Sequence, residues 1–187
     1  MADRETGEMG EFARLILHDG VDVVNASMTI DGPISAASYR KFDKQLTLLE
    51  HLQSDRITIY LNSGGGEVYS MFAYIDRIMN SACKIDIVAV GLVASAAIGI
   101  LAAGEARSGY PHTSFMFHSI AGGIDGSLPV QDNELKHTKQ LSVRWCKFLA
   151  ERTKKPYAFW KSLGKHADYY FDYDKAWEWG LLNETYR

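Results

Sequence analysis

Three short stretches carry side chains whose types and settings could do chemistry. The first is Asn62-Ser63-Gly64-Gly65-Gly66, a glycine loop that follows the β-branched run Arg56–Leu61. Its glycines let the backbone turn sharply and leave N–H groups free at the head of a helix, a holder of negative charge. The loop lacks the lysine of a P-loop and the spacing of a dinucleotide fingerprint, so neither nucleotide class is implied. The second is Ser95, within Gly91-Leu92-Val93-Ala94-Ser95-Ala96-Ala97. On position alone its hydroxyl reads as a helix cap. Val93 and Ala97 stand where the serine elbow of α/β-hydrolases has glycines. The third is His118, which ends the apolar strand Phe115-Met116-Phe117 and alone reads as a satisfied structural group. A hydroxyl, an imidazole and exposed backbone N–H groups are the types that acyl transfer uses. His18, His51, His112, His137 and His166 sit in polar or turn contexts, and no His/Cys/Asp/Glu set has metal-ligand spacing, so no metal or other cofactor is expected.

The elements that must position these residues alternate strand and helix. Arg56–Leu61 reads as a strand, and Val68, Met71, Phe72, Ile75, Ile78 and Met79 form the apolar stripe of a helix after the glycine loop. Lys84–Val90 reads as the next strand, which completes a right-handed βαβ unit. Both loops of interest follow the C-terminal ends of its strands, where open α/β sheets place their sites. Ala94–Ala103 reads as a buried helix of small residues, and Ser114–Phe117 as a strand. Asp132–Thr153 reads as a long amphipathic helix with Leu135, Leu141, Trp145, Phe148 and Leu149 on one side. Upstream, Ala13–His18, Val21–Val24 and Ala26–Ile30 read as short strands. Ser35 caps a helix to about Leu52 that carries Tyr39, Phe42, Leu46 and Leu49 on one face. The fold class is α/β.

Composition narrows the function classes. The 187 residues are 47% hydrophobic and 23% charged, ample for a core, with no linker or repeat to divide them, so one domain over 1–187 is expected. A net charge of −3 argues against nucleic acid or an anionic membrane as partner. Cys83 and Cys146 lie far apart, which fits a reducing compartment. Residues 1–12 are charged and read as a flexible N-terminus without a secretory h-region. The apolar run Val88–Ala103 is too short to span a bilayer, so a soluble, cytoplasmic protein is expected. Nine aromatic residues between Tyr157 and Trp179 read as core or subunit interface rather than a ligand cage.

In order and setting the three stretches resemble the ClpP family of self-compartmentalising serine peptidases. The matching segments are Ile59–Val68, Gly91–Gly104, Ser114–Gly126, Leu149–Thr153 and Ala176–Asn183. The resemblance implies a ClpP/crotonase-like fold of repeated ββα units, with a protruding handle over about 120–153. It implies Ser95 as nucleophile, His118 as its general base, and the backbone N–H groups of Gly66 and Ala96 as oxyanion hole. Gly122, Gly123 and Ile124 match the strand along which the family's substrates lie. The implied function is endopeptidase action on peptides or unfolded proteins inside homo-oligomeric stacked rings of about 12–14 subunits. An ATP-dependent unfoldase is the further partner the family implies.

The sequence departs from the family at several points. Position 64 is glycine where the family usually has proline, and the Ser95–His118 interval is about two residues short. The first 55 residues, which in the family help to dock the unfoldase, match poorly. For the acid behind His118, counting back from Ala176–Leu181 reaches Gly164, whereas counting forward from His118 reaches the neighbourhood of Asp168. Asp168 is the assignment carried forward, with Asp172 and Asp174 as its rivals and Asp172 reading as a helix cap. Two other readings stay open. One is a catalytically silent ClpP-like structural subunit. The other is a crotonase-type acyl-CoA hydratase or isomerase, for which Glu67 would have to serve.

Overall fold

The computed structural model describes residues 20–52, 55–120, 127–165 and 168–185. Seven strands form one sheet: β1 (Val21–Asp22), β2 (Ser27–Asp31), β3 (Arg56–Ser63), β4 (Lys84–Ala94), β5 (Arg107–Gly109), β6 (Ser114–Phe117) and β7 (Tyr169–Phe171). The order is β1-β2-β3-β4-β6-β7, with β5 also paired to β4. The interior pairs are parallel, and the outer pairs β1–β2 and β6–β7 are antiparallel. Strands β3 and β4 bury alternate residues, among them Ile57, Ile59, Leu61, Ile85 and Ile87, as β-branched side chains on a pleated sheet should. The expected Ala13–His18 strand and the flexible 1–12 segment lie outside the described residues.

Six helices complete the described structure: α1 (Ala36–His51), α2 (Val68–Met79), α3 (Ala96–Ala103), α4 (Leu128–Arg152), α5 (Tyr157–Leu163) and α6 (Tyr173–Glu178). Ser35 caps α1 as expected, accepting from the Ser38 N–H at 3.2 Å. α3 is buried along its whole length, which small residues permit, and packs between α2 and α4. The C-terminal half of α4 buries Leu141, Trp145, Cys146 and Leu149. Its N-terminal half leaves Leu128, Val130 and Leu135 exposed.

Several expected boundaries are corrected. β1 is shorter than Val21–Val24, because the Asp22 carboxylate takes the N–H groups of Val24 and Asn25 into a turn. Asn62 and Ser63 belong to β3 rather than to the loop, and β4 runs four residues beyond Val90. α4 starts at Leu128, four residues before Asp132, since Pro129 suits a first turn whose N–H groups have no acceptor. Of the residues expected on one side of α4, Leu135 is exposed and Leu141 is buried.

β5, β7 and α5 had no forecast, and of these β5 is the most dependent on one side chain. It is fastened by Arg107, whose side chain is buried and donates to the carbonyls of Leu181 (2.8 Å), Arg152 (2.9 Å), Gly104 (3.1 Å) and Gly180 (3.1 Å). Burial, and then the neighbouring Arg152 charge, lower its pKa to about 10. The C-terminal aromatics assemble beside this cage: Trp179 packs on Phe171 (4.6 Å), Phe159 (4.8 Å) and Trp160 (5.9 Å), and Phe171 on Phe115 (5.4 Å). Trp160, Phe171 and Trp179 are buried and four others pack against the core, whereas Tyr170 and Trp177 are exposed.

Candidate active site

The site forms where β3 and β4 end. The β3–β4 register shifts between Leu61 and Ser63, and Asn62 spans the irregularity. Its side chain accepts from the Leu92 N–H at 3.1 Å and donates to Asp31 at 2.9 Å. β4 is thereby held while it turns to pair with β6 through Leu92–Ala94. Ser95 follows at once with φ 54° and ψ −122°. A non-glycine residue there is strained, by roughly 1–3 kcal/mol. That conformation turns the chain sharply from strand to helix and projects the side chain, the logic of a nucleophile elbow without its glycines. The Ser95 N–H is fixed by the Met116 carbonyl at 2.8 Å.

The Ser95 hydroxyl does not cap α3. Instead its Oγ lies 2.6 Å from His118 Nε2. The other ring nitrogen, Nδ1, lies 3.5 Å from Asp168 Oδ1. Asp172 is occupied elsewhere, capping α6 by accepting from the Lys175 N–H at 3.0 Å. Gly164, the rival position for the acid, sits next to the imidazole strand: its carbonyl accepts from the Ser119 hydroxyl. The structure therefore brings Ser95, His118 and Asp168 into one line. Gly66 and Ala96 join them on the wall of a cavity of about 190 Å³, together with Glu67, Ile120 and Trp145. Gly122, Gly123 and Ile124 lie outside the described residues.

The glycine loop on this wall is anchored from several sides. Ile34 brackets Gly66, donating to the Gly65 carbonyl and accepting from the Glu67 N–H, each at 2.9 Å. Ser63 Oγ accepts from the Gly65 N–H at 3.1 Å and donates to the Gly32 carbonyl at 2.6 Å. Gly66 itself has φ 154°, and a Cβ there would collide with the Ile34 carbonyl. At Gly65 a Cβ would come within 2.6 Å of that of Ser95, so this loop and the elbow touch backbone to backbone. Ala96 opens α3, so its N–H has no acceptor within the helix. Ile34, Asn62 and Ser63 as positioning residues escaped the sequence reading. Their partners are about 30 residues away, and no local pattern marks them.

The Glu67 carboxylate already has partners, accepting from the Ala36 N–H (3.0 Å) and the Ser70 hydroxyl (2.8 Å) through Oε2. Among the described residues no group of three His, Cys, Asp or Glu could hold a metal ion. No helix among them is long and apolar enough to cross a membrane.

Comparison with known proteins adds the following. A family model described as Clp protease matches residues 21–187. The chain is 30% identical over 161 residues to "ATP-dependent Clp protease proteolytic subunit 3" of Rhizobium etli, covering 84% of this chain and 81% of that protein. It is 32% identical to "ATP-dependent Clp protease proteolytic subunit 1" of Prochlorococcus marinus, covering 80% and 78%. Among solved structures, a point mutant of ClpP1 from Listeria monocytogenes superposes with a TM-score of 0.80 at 30% identity, covering 88% of this chain and 92% of that one.

Proposed function

The chain belongs to the Clp protease family, and from that premise we propose that it is a serine endopeptidase subunit working on peptides or unfolded proteins within stacked homo-oligomeric rings. The observation that carries this reading is the 2.6 Å approach of Ser95 Oγ to His118 Nε2 at a strained, uncapped elbow. His118 Nε2 takes the hydroxyl proton as Oγ attacks the substrate carbonyl carbon. The carbonyl oxygen becomes an oxyanion stabilised by the N–H groups of Gly66 and Ala96. Collapse breaks the C–N bond, His118 returns the proton to the departing amine, and an acyl-Ser95 ester remains. Water, deprotonated by the same imidazole, then releases the acid and restores Ser95. Asp168 holds the imidazole tautomer and offsets the imidazolium charge. Its 3.5 Å separation is loose, as such contacts often are before substrate binds.

One peptidase unit over 1–187, with α4 as its handle, accounts for the fold. Docking of an ATP-dependent unfoldase and a cytoplasmic setting are part of the same proposal. The hydratase reading is disfavoured because the carboxylate it needs, Glu67, is engaged by Ala36 and Ser70. The silent-subunit reading is disfavoured by Asp168 beside His118. Labelling with a fluorophosphonate tests the proposal, since only an activated serine reacts. The wild-type chain should be labelled at Ser95, and Ser95→Ala should lose both labelling and peptide hydrolysis while keeping its fold. An unlabelled wild type, or residual turnover within about tenfold in the variant, would remove Ser95 from the mechanism.

A further inference from the structure

A second, larger cavity of about 480 Å³ opens beside the first, between α4 and α5. The two share Ile120 and Trp145 as a common wall. The larger one is apolar within, through Phe117, Tyr157 and Trp160, and three lysines, Lys139, Lys161 and Lys165, also line it. Among the described residues no carboxylate lines it, and none of these lysines forms an ion pair there. Lys161 rests over the Tyr157 ring at 5.8 Å, a contact that leaves an ammonium able to meet an anion. The shared wall adds a second observation. Trp145 is buried, and its indole N–H has no acceptor among the described residues. An unpaired buried donor is costly, and an entering acceptor would relieve it.

We propose that this cavity is a specificity subsite selecting an acidic substrate side chain, glutamate before its uncharged isostere, at the residue whose carbonyl Ser95 attacks. The inference rests on the serine-peptidase reading above. That residue lies one bond from the attacked carbon, and so is the one whose side chain can enter across the Ile120–Trp145 wall. A glutamate fits the chemistry of the space: methylenes against the aromatic rings and a carboxylate toward the lysines. The lysines supply attraction that no described carboxylate lining the cavity cancels, and a lysine or arginine substrate residue would be repelled.

The test uses two peptidyl phosphonates differing only in a glutamate or glutamine side chain on the carbon bonded to phosphorus, with a simple fluorophosphonate beside them. The glutamate probe should label Ser95 faster by about five- to tenfold, the sum of three partly exposed ion-pair attractions. The ratio should shrink toward one at high salt, and in a Lys139→Gln, Lys161→Gln, Lys165→Gln variant. Reading the ratio within each protein cancels any loss of total activity. Equal rates for the two probes, with the simple fluorophosphonate reacting, would overturn the subsite. The same holds for a preference that survives both salt and the triple variant. Failure of the simple fluorophosphonate to react would overturn the underlying serine-peptidase reading instead.

Discussion

At the scale of single residues, the two candidate acids are separated by what each carboxylate already does. Asp172 spends its hydrogen-bonding capacity on the head of α6, whereas Asp168 has an exposed carboxylate beside the imidazole. Asp168→Asn should therefore lower kcat by orders of magnitude with little change in KM, because the lost interaction belongs to the transition state. Asp172→Asn should leave turnover near normal and cost at most about 1 kcal/mol, since asparagine also caps helices. Steady-state kinetics and thermal melts of both variants decide. The reverse pattern would move the acid to Asp172, and normal turnover in both would mean another group orients His118. Ser95 and His118 were legible as a pair only through the order of the three stretches, since singly they read as a helix cap and a structural group. The acid was less so. Two countings disagreed by four residues, and only the path of β7 beside β6 brings Asp168 to the ring.

Among the elements, those with strong periodicity were legible, and those made by distant contacts were not. The β-branched runs of β3 and β4 and the stripe of α2 announce themselves. β5 is three residues long and includes an arginine and a glycine, and it exists because Arg107 finds three carbonyls far along the chain. The apolar spacing of α4 marked one side of the helix, but periodicity cannot tell where a helix leaves the body of the protein. A different distant contact sets the response to acid. Arg77 on α2 grips both carboxylate oxygens of Glu50 on α1 (2.9 and 2.6 Å), and Ser81 donates to the same carboxylate at 2.6 Å. These bonds, the Arg77 ones foremost, hold the Glu50 carboxyl down to about 2 from an ordinary 4.5. A depressed carboxyl stabilises the fold fully above its unfolded value, and that contribution is lost as pH falls through the folded one. The wild type should thus lose more melting temperature than Glu50→Gln between pH values of about 5 and 2. Parallel declines in the two proteins would show that the Glu50–Arg77 pair contributes nothing.

For the whole molecule, the question is what covers the free half of α4. Leu128 is 81% exposed, and Val130, Leu135 and Val143 are also open, an apolar surface that a monomer would carry at a cost. With a 20.9 kDa subunit, closed rings stacked through these helices should scatter light as a particle of roughly 250–290 kDa. A species near the subunit mass at micromolar concentration would defeat the ring proposal. The Arg107 cage has a further consequence, for the order in which the chain can be built. Two of its four carbonyls belong to Gly180 and Leu181, more than 70 residues downstream of the guanidinium they receive. While the ribosome has yet to deliver them, taking that charge out of water has too little to offset it. The nascent chain must then wait with β5 undocked until Gly180 and Leu181 have been delivered, however early β3 and β4 pair.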